Sequence, residues 1–329
     1  MVFFCGAGIS YPAGLPGFQG LVEKIYEEIG EHASELEGKA IEKGQYDIAL
    51  SLLEKRIVAQ RYTVRRALAR VLTPNENSSA STELHEALLV LATNRDKKLR
   101  LVTTNFDRLF HSAADHKGIP FPIYEAPRLP VPKASRWNGC VFLHGLLPSD
   151  YCEEEALNRL VFTSGDFGLA YITERWASRF VTELFRNYLV CFVGYSINDP
   201  VRRYMMDALA ADRMLGESTL PAWAFASSPL EQVEDTKLSW SAKGVIPIIY
   251  HTENDDHSAL YETLKMWAKT YRDGATGKEH IVIETAYLDP KLSTDQNNFV
   301  ARMLWALSDK SGRPAKHFAE LNPDRKSVV

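Results

Sequence analysis

The sequence predicts an α/β fold: a Rossmann-like parallel sheet with helices on both faces, plus an inserted helical subdomain. Three observations carry this expectation. Apolar runs of strand length recur between amphipathic segments, the pattern of a parallel sheet covered on both sides. The first run, Val2-Phe3-Phe4-Cys5, passes at once into Gly6-Ala7-Gly8-Ile9-Ser10, a glycine turn at a strand end. About ninety residues of helical pattern then separate the first run from the second, where a plain βαβ unit needs only about 30.

The expected strands, in order, are Val2–Cys5, Leu99–Thr103, Cys140–Leu143, Leu160–Thr163, Leu189–Val193, Ala222–Ala226 and Val245–Tyr250. After the first, Tyr11-Pro12-Ala13-Gly14-Leu15-Pro16-Gly17-Phe18 reads as a stiff loop leading into a helix. Helical patterns follow at Gln45–Lys55 and Tyr62–Leu72. Pro74–Thr82 is a polar break, and Thr82-Glu83-Leu84 starts a helix running to about Thr93. The proline-rich stretch Gly118–Trp137 is expected to be irregular. His257–Tyr271 reads as the last helix of the sheet domain, and Gly274–Gly277 as a linker. Asn297–Leu307 and Pro314–Leu321 look like helices of a further module. The expected domains are therefore 1–273, with a helical insertion over about 33–96, and 274–329, a linker and the start of a C-terminal helical module. The first strand begins almost at Met1, and the chain stops after a helical stretch, so a piece of a longer protein is expected.

Composition narrows the function. The 329 residues are 45% hydrophobic and 24% charged, ordinary for a globular chain able to bury a full core. A net charge of −4 without a strongly basic segment argues against nucleic acid as the main ligand. No apolar run approaches the ~20 residues of a membrane span, and the start lacks the basic flank of a signal peptide. The four cysteines, Cys5, Cys140, Cys152 and Cys191, are scattered with no Cys-X-X-Cys spacing. They read mostly as buried thiols in a reducing cytoplasm, and no metal site is expected.

The residues with chemistry sit at strand ends, where open α/β sheets bind ligands. Gly6-X-Gly8 lets backbone approach a pyrophosphate, but a dehydrogenase fingerprint needs glycine where Tyr11 stands. Thr103-Thr104-Asn105-Phe106-Asp107 follows the second strand; Asn105 and Asp107 read either as ligand contacts or as helix caps. His144-Gly145 follows the Cys140–Leu143 run. It reads as a structural histidine or, beside a glycine that admits close approach, as a reactive one. The other histidines, His85 among them, read as surface or core. Gly194-Tyr195-Ser196-Ile197-Asn198-Asp199-Pro200 passes from strand into helix. Capping explains Asp199 and Pro200, whereas Gly194 and Ser196 suit a phosphate or ribose.

In this order, the motifs resemble the sirtuin family. Its Gly-Ala-Gly-X-Ser and Gly-Ile-Pro are similar to Gly6–Ser10 and Gly14-Leu15-Pro16. Its Thr-Gln-Asn-Ile-Asp is similar to Thr103–Asp107, its catalytic His-Gly to His144-Gly145, and its Gly-Thr-Ser to Gly194-Tyr195-Ser196. The resemblance spans roughly residues 2–270. Two departures separate the chain from the deacylases: Gly17-Phe18-Gln19 replaces Asp-Phe-Arg, and the four-cysteine zinc module is missing. With the helical insertion, these look like the divergent sirtuin-like proteins of bacterial antiphage defence. The stretch from Phe3 to Phe18 is most similar to defence-associated sirtuins with a long C-terminal extension.

That resemblance implies hydrolysis of NAD+ to nicotinamide and ADP-ribose, with NAD+ depletion arresting the infected cell. It implies His144 and Asn105 as catalytic residues. It implies NAD+ contacts from Gly6, Ala7, Gly8, Ser10, Leu15, Pro16, Thr104, Asp107, Gly194 and Ser196. NAD+ is then the substrate, no metal is needed, and the setting is a cytoplasmic homo-oligomer, triggered by a phage protein through a C-terminal region missing here. Alternatives are an NAD+-dependent deacylase, in which the acyl oxygen of lysine replaces water, and a non-catalytic NAD+ or ADP-ribose sensor. A nicotinamide dehydrogenase fits worst, because of Tyr11.

Overall fold

A seven-stranded, wholly parallel sheet carries the site. The computed structural model describes residues 1–57, 61–73, 81–94, 96–150, 153–196, 205, 219–254, 256–270, 274–287 and 299–321. The strands are β1 (Val2–Cys5), β2 (Arg100–Thr103), β3 (Ile123–Glu125), β4 (Gly139–Phe142), β5 (Val190–Val193), β6 (Ala222–Ser228) and β7 (Ile246–His251). They lie in the order β3-β4-β2-β1-β5-β6-β7. The α/β, Rossmann-like expectation therefore holds. β1 is flanked by β2 and β5, with Cys5 in register with both Thr103 and Val193. The chain order reverses on either side of β1, so the C-terminal ends of β1, β2 and β5 form the crevice where such sheets bind ligands.

Burial explains why these short runs are strands. β1, β4 and β5 are buried along their whole length, as expected of central parallel strands covered on both faces. On one face, Phe180, Val181, Leu184 and Phe185 of the helix Trp176–Asn187 pack with Val2, Phe4 and Phe192. Elsewhere, helices α1 (Phe18–Ile29), α2 (Glu35–Glu42), α3 (Tyr46–Arg56) and α4 (Arg61–Val71) form a layer of their own. Leu21, Val22 and Ile25 of α1 share a core with Leu50 and Leu53 of α3 and Val64 and Leu68 of α4. That core extends onto Phe106, Leu157, Leu160 and Phe162, so the insertion rests directly on the segments that follow β2 and β4. Helix α5 (Glu83–Ala92) then returns the chain to β2.

Two expectations about strands are corrected. Leu160–Thr163 is not a strand. The Arg65 guanidinium takes the carbonyls of Leu157 and Leu160 at 3.0 Å each, so they are not free for a ladder. Conversely, Ile123–Glu125 inside the proline-rich stretch is the edge strand β3, paired with Cys140–Phe142. An edge strand tolerates prolines around it because only one side needs a ladder.

The chain divides into two compact units, Met1–Asp255 and Asp256–Val329. This division comes before the glycine linker expected at 274, because the helix Ser258–Thr270 packs against the helix Ala275–Thr285. In the second unit, Ile281, Val282 and Ala306 form a small core. Lys278 bonds Asp309 at 2.7 Å and stands 4.4 Å from the Trp305 ring centre. No helix among the described residues is long and apolar enough to cross a membrane. Cys5, Cys140 and Cys191 are buried free thiols, while Cys152 lies outside the described residues.

Candidate functional site

Three strand ends deliver most of the predicted side chains to one place. A cavity of about 60 Å³ is lined by Ala7, Ser10, Leu15, Pro16, Thr104, Asn105, Asp107 and His144 among others. That volume has room for a few waters. Ser10 arrives on a 3-10 helix, Ala7–Ala13, that starts directly after β1. Thr104, Asn105 and Asp107 follow β2, and His144 stands two residues beyond β4. Leu15 and Pro16 enter from the loop before α1. Phe18, Phe106, Phe162 and Phe167 supply much of the apolar wall.

Ser10 is the centre of a polar cluster. Its hydroxyl donates to Asp107 Oδ2 at 2.9 Å and accepts from Asn105 Nδ2 at 3.0 Å. His85 Nε2 lies 3.4 Å from the same oxygen. A serine hydroxyl has one proton and two lone pairs. With the proton spent on Asp107 and one lone pair on Asn105, His85 is left to donate to the other. Burial favours the neutral ring and pulls the His85 pKa down to about 4, against a smaller upward pull from Asp107. The result fixes the Asn105 amide with its nitrogen on Ser10. Its Oδ1 has no hydrogen bond among the described residues. Asp107 is not the N-cap of the helix Leu109–Lys117, which is Arg108, but from one residue earlier its Oδ1 accepts the Leu109 N–H at 3.0 Å.

His144 is only 1% exposed. Its Nε2 lies 2.9 Å from the Tyr171 hydroxyl, and the Phe167 ring meets it edge-on at 5.2 Å and 89°. Its Nδ1 is buried without a partner among the described residues. Desolvation alone drives its pKa down to about 3, so the ring is neutral at working pH.

The glycines act differently from a simple phosphate cradle. A Cβ on Gly8 would fall 2.9 Å from Gly194 Cα, and one on Gly194 would fall 2.7 Å from the Ile9 nitrogen. Gly194 also has φ +74°, a left-handed conformation that favours glycine. The N–H groups of Gly6 and Gly8 bond Val193 and Gly194 carbonyls at 2.9 Å. The missing side chains thus let the β1 and β5 loops touch. Gly6, Gly8, Gly194 and Ser196 are not among the residues lining the cavity. Gly145 likewise makes room for chain rather than ligand, since a Cβ there would lie 3.0 Å from Leu160. Ile197, Asn198, Asp199 and Pro200 lie outside the described residues.

Comparison with known proteins bears on this arrangement. Residues 99–248 match the SIR2-like domain family. The matched range runs from just before β2 into β7, and so contains Asn105, Asp107, His144 and Gly194. The glycine loop of β1 lies ahead of the matched range. The match is to a sirtuin-like family over that range alone. An uncharacterized protein, y4cA, of Sinorhizobium fredii is 29% identical over an alignment of 322 positions that covers 94% of this chain. The chain spans 26% of the length of that relative.

Sequence reasoning missed His85, Tyr171 and Arg65. His85 was legible in part: it shares a helix face with Leu88 and Leu89, both buried, and a histidine inside such a stripe needs a partner. Tyr171 and Arg65 carry no such local signal.

Proposed function

We propose that the chain is an NAD+ glycohydrolase that releases nicotinamide and leaves ADP-ribose. One observation carries this reading. Ser10, Asn105, Asp107 and His144 meet on a single cavity at the C-terminal ends of β1, β2 and β4, and His144 Nδ1 is buried with no partner among the described residues. Unpaired buried polar atoms are costly, and this one belongs to a residue of the cavity wall. The SIR2-like match adds an NAD-related prior.

In the proposed reaction the bond from C1′ to the nicotinamide nitrogen breaks, and its electron pair leaves with neutral nicotinamide. The sugar carbon becomes oxocarbenium-like, and water adds to it. His144, neutral and with an open nitrogen, takes the proton from that water or through a ribose hydroxyl. Asn105 Oδ1 orients the water or the ribose. Asp107 and Ser10 hold Asn105 in place. Leu15, Pro16, Thr104 and Ala7 line the pocket for the nicotinamide riboside end. Gly6 and Gly8 shape the loop, and the adenosine half is assigned to the rim near Gly194 and Ser196. In a cell, unrestrained turnover would deplete NAD+, which fits a role in antiphage defence by a cytoplasmic homo-oligomer under the control of a phage protein.

The test is to incubate the purified chain with NAD+ and follow nicotinamide by chromatography. Steady release by the wild type, at least 100-fold lower in Asn105→Ala, is expected. Release that requires an added acetylated peptide would point to deacylation instead. Tight binding of NAD+ with no release would point to a sensor.

A further inference from the structure

Tyr195 spans the gap between the rim of β5 and the cavity wall. Its backbone lies between Gly194 and Ser196, at the rim assigned to the adenosine half. Its hydroxyl ends 2.6 Å from Oγ1 of Thr104, which lines the cavity. On the way the side chain crosses the carboxyl end of β1. The hydroxyl stands 3.2 Å from the Cys5 carbonyl oxygen, and a Cβ on Gly6 would fall 2.9 Å from both Cε atoms of the ring. Two proton arrangements satisfy these contacts. Tyr195 donates to Cys5 and receives from Thr104, or it donates to Thr104, whose own hydroxyl lies 3.5 Å from the Cys5 carbonyl oxygen. Either one ties the ring down. Tyr195 is 7% exposed, and its ring also meets Phe192 edge-on at 5.6 Å and 87°.

A glycine at the end of a first strand lets backbone approach a pyrophosphate, because no Cβ stands in the way. Here that opening is filled by a side chain of the same protein. Threonine, which stands at this place in the similar Gly-Thr-Ser motif, lacks the ring that covers Gly6. Gly6, Gly8 and Gly194 accordingly do not line the cavity, whose volume of about 60 Å³ ends at Thr104 on this side. Phosphates that join a ribose in the cavity to an adenosine at the β5 rim reach Gly6 only after the ring has left it.

We propose that Tyr195 is a strap across the strand-end crevice. Latched to Thr104 and Cys5 in the free protein, it covers Gly6, and a ligand carrying a diphosphate from the cavity to the β5 rim binds by displacing it. Only the fraction of molecules with the ring away from Gly6 is competent for such a ligand, so the latch lowers its affinity. A ligand that stays inside the cavity does not meet the strap. The proposal rests on the NAD+ reading for the path of the ligand, and on the contacts alone for the latch.

ADP-ribose and nicotinamide are the probes on the intact chain. The first spans the crevice, the second fits within the cavity, and glycohydrolysis consumes neither. Tyr195→Phe keeps the ring and removes the latching hydroxyl. Calorimetric titration is expected to give an ADP-ribose Kd about 5- to 20-fold lower in Tyr195→Phe than in the wild type, with the nicotinamide Kd, read by NMR titration, unchanged. An ADP-ribose Kd that stays level or rises overturns the proposal. So does an equal fall for nicotinamide, or no binding of ADP-ribose by either protein. If Tyr195→Phe fails to fold, the wild type decides. Nitration attacks the Cε positions of tyrosine, which here face Gly6, so mass spectrometry should find Tyr195 more nitrated with ADP-ribose bound than without. Equal or lower nitration overturns the strap. If these results hold but the wild type releases no nicotinamide from NAD+, the glycohydrolase reading falls and the strap stands.

Discussion

Arg65 and Asp166, 101 residues apart in the chain, meet as a two-pronged pair with hydrogen bonds of 3.0 and 2.9 Å. Arg65 is completely buried, yet it also binds Glu54 at 2.8 Å, and its guanidinium lies 4.8 Å from the Phe162 ring centre. Asp166 in turn caps its own short helix by accepting the Thr163 N–H at 3.1 Å. Through this pair the helical insertion holds the segment that brings Val161, Phe162 and Phe167 to the cavity wall.

Removing that cation should therefore be felt in both stability and turnover. Arg65→Met removes the guanidinium from Asp166, Glu54 and three backbone carbonyls, those of Leu157, Asn158 and Leu160. A loss of about 3–5 kcal/mol is expected, as for other broken buried pairs, read as a lower urea midpoint. Nicotinamide release should fall with it. An unchanged midpoint would show that the pair contributes nothing to holding the wall.

His144→Ala should lower nicotinamide release by about 10²–10⁴, because no other described side chain on the cavity offers a neutral nitrogen base. Folding should survive, since a smaller side chain here removes an unpaired polar atom along with its packing. Activity within a few-fold of wild type would remove His144 from the reaction.

The same histidine, with His85, sets an acid limit on stability. Both folded-state pKa values are lowered, to about 3 for His144 and about 4 for His85, from an ordinary 6.5. In that window the unfolded chain takes up protons that the folded chain refuses, so the stability is present above pH 6.5 and is lost as pH falls. Each group adds a slope of up to about 1.4 kcal/mol per pH unit. Urea unfolding between pH 4 and 6.5 should show this decline, and His85→Asn should make it shallower. An equally steep decline in that variant would mean that His85 is already charged in the folded protein.

Gly194→Ala tests the contact between the two glycine loops. The new methyl would sit 2.7 Å from the Ile9 nitrogen, at φ +74°. Left-handed strain of about 1–2 kcal/mol and overpacking of about 1–3 kcal/mol predict a total loss above about 2 kcal/mol. Gly14→Ala is a useful control: it shares a positive φ of +79° but has nothing within 4 Å of the added carbon, so it should lose only the strain.

Tyr195→Phe should cost about 1–2 kcal/mol. The Tyr195 hydroxyl stands 2.6 Å from Thr104 Oγ1 and 3.2 Å from the Cys5 carbonyl, tying the β5 loop to β1 and β2. A melting temperature equal to the wild type would mean that water replaces those bonds without loss.

Local chemistry was enough to read much of this molecule from its residues in order. Val2–Cys5, Arg100–Thr103 and Val190–Val193 are apolar runs short enough to be strands and too apolar to lie at the surface, so their parallel burial follows from composition. Asn105, Asp107 and His144 could be placed at strand ends because each stands just past such a run. Tertiary structure decided what those residues touch. The pairing of Ser10 with Asp107 and Asn105, the reach of Arg65 into Leu157–Asp166, and the Tyr171 contact on His144 join positions 27 to 101 residues apart. No local pattern encodes such contacts, because they are set by how the helical layer and the sheet pack. For the same reason Leu160–Thr163 looks like a strand in isolation and is not one: a guanidinium from a different layer takes the Leu160 carbonyl, and the N–H groups of Val161 and Thr163 go to the His144 carbonyl and the Asp166 carboxylate.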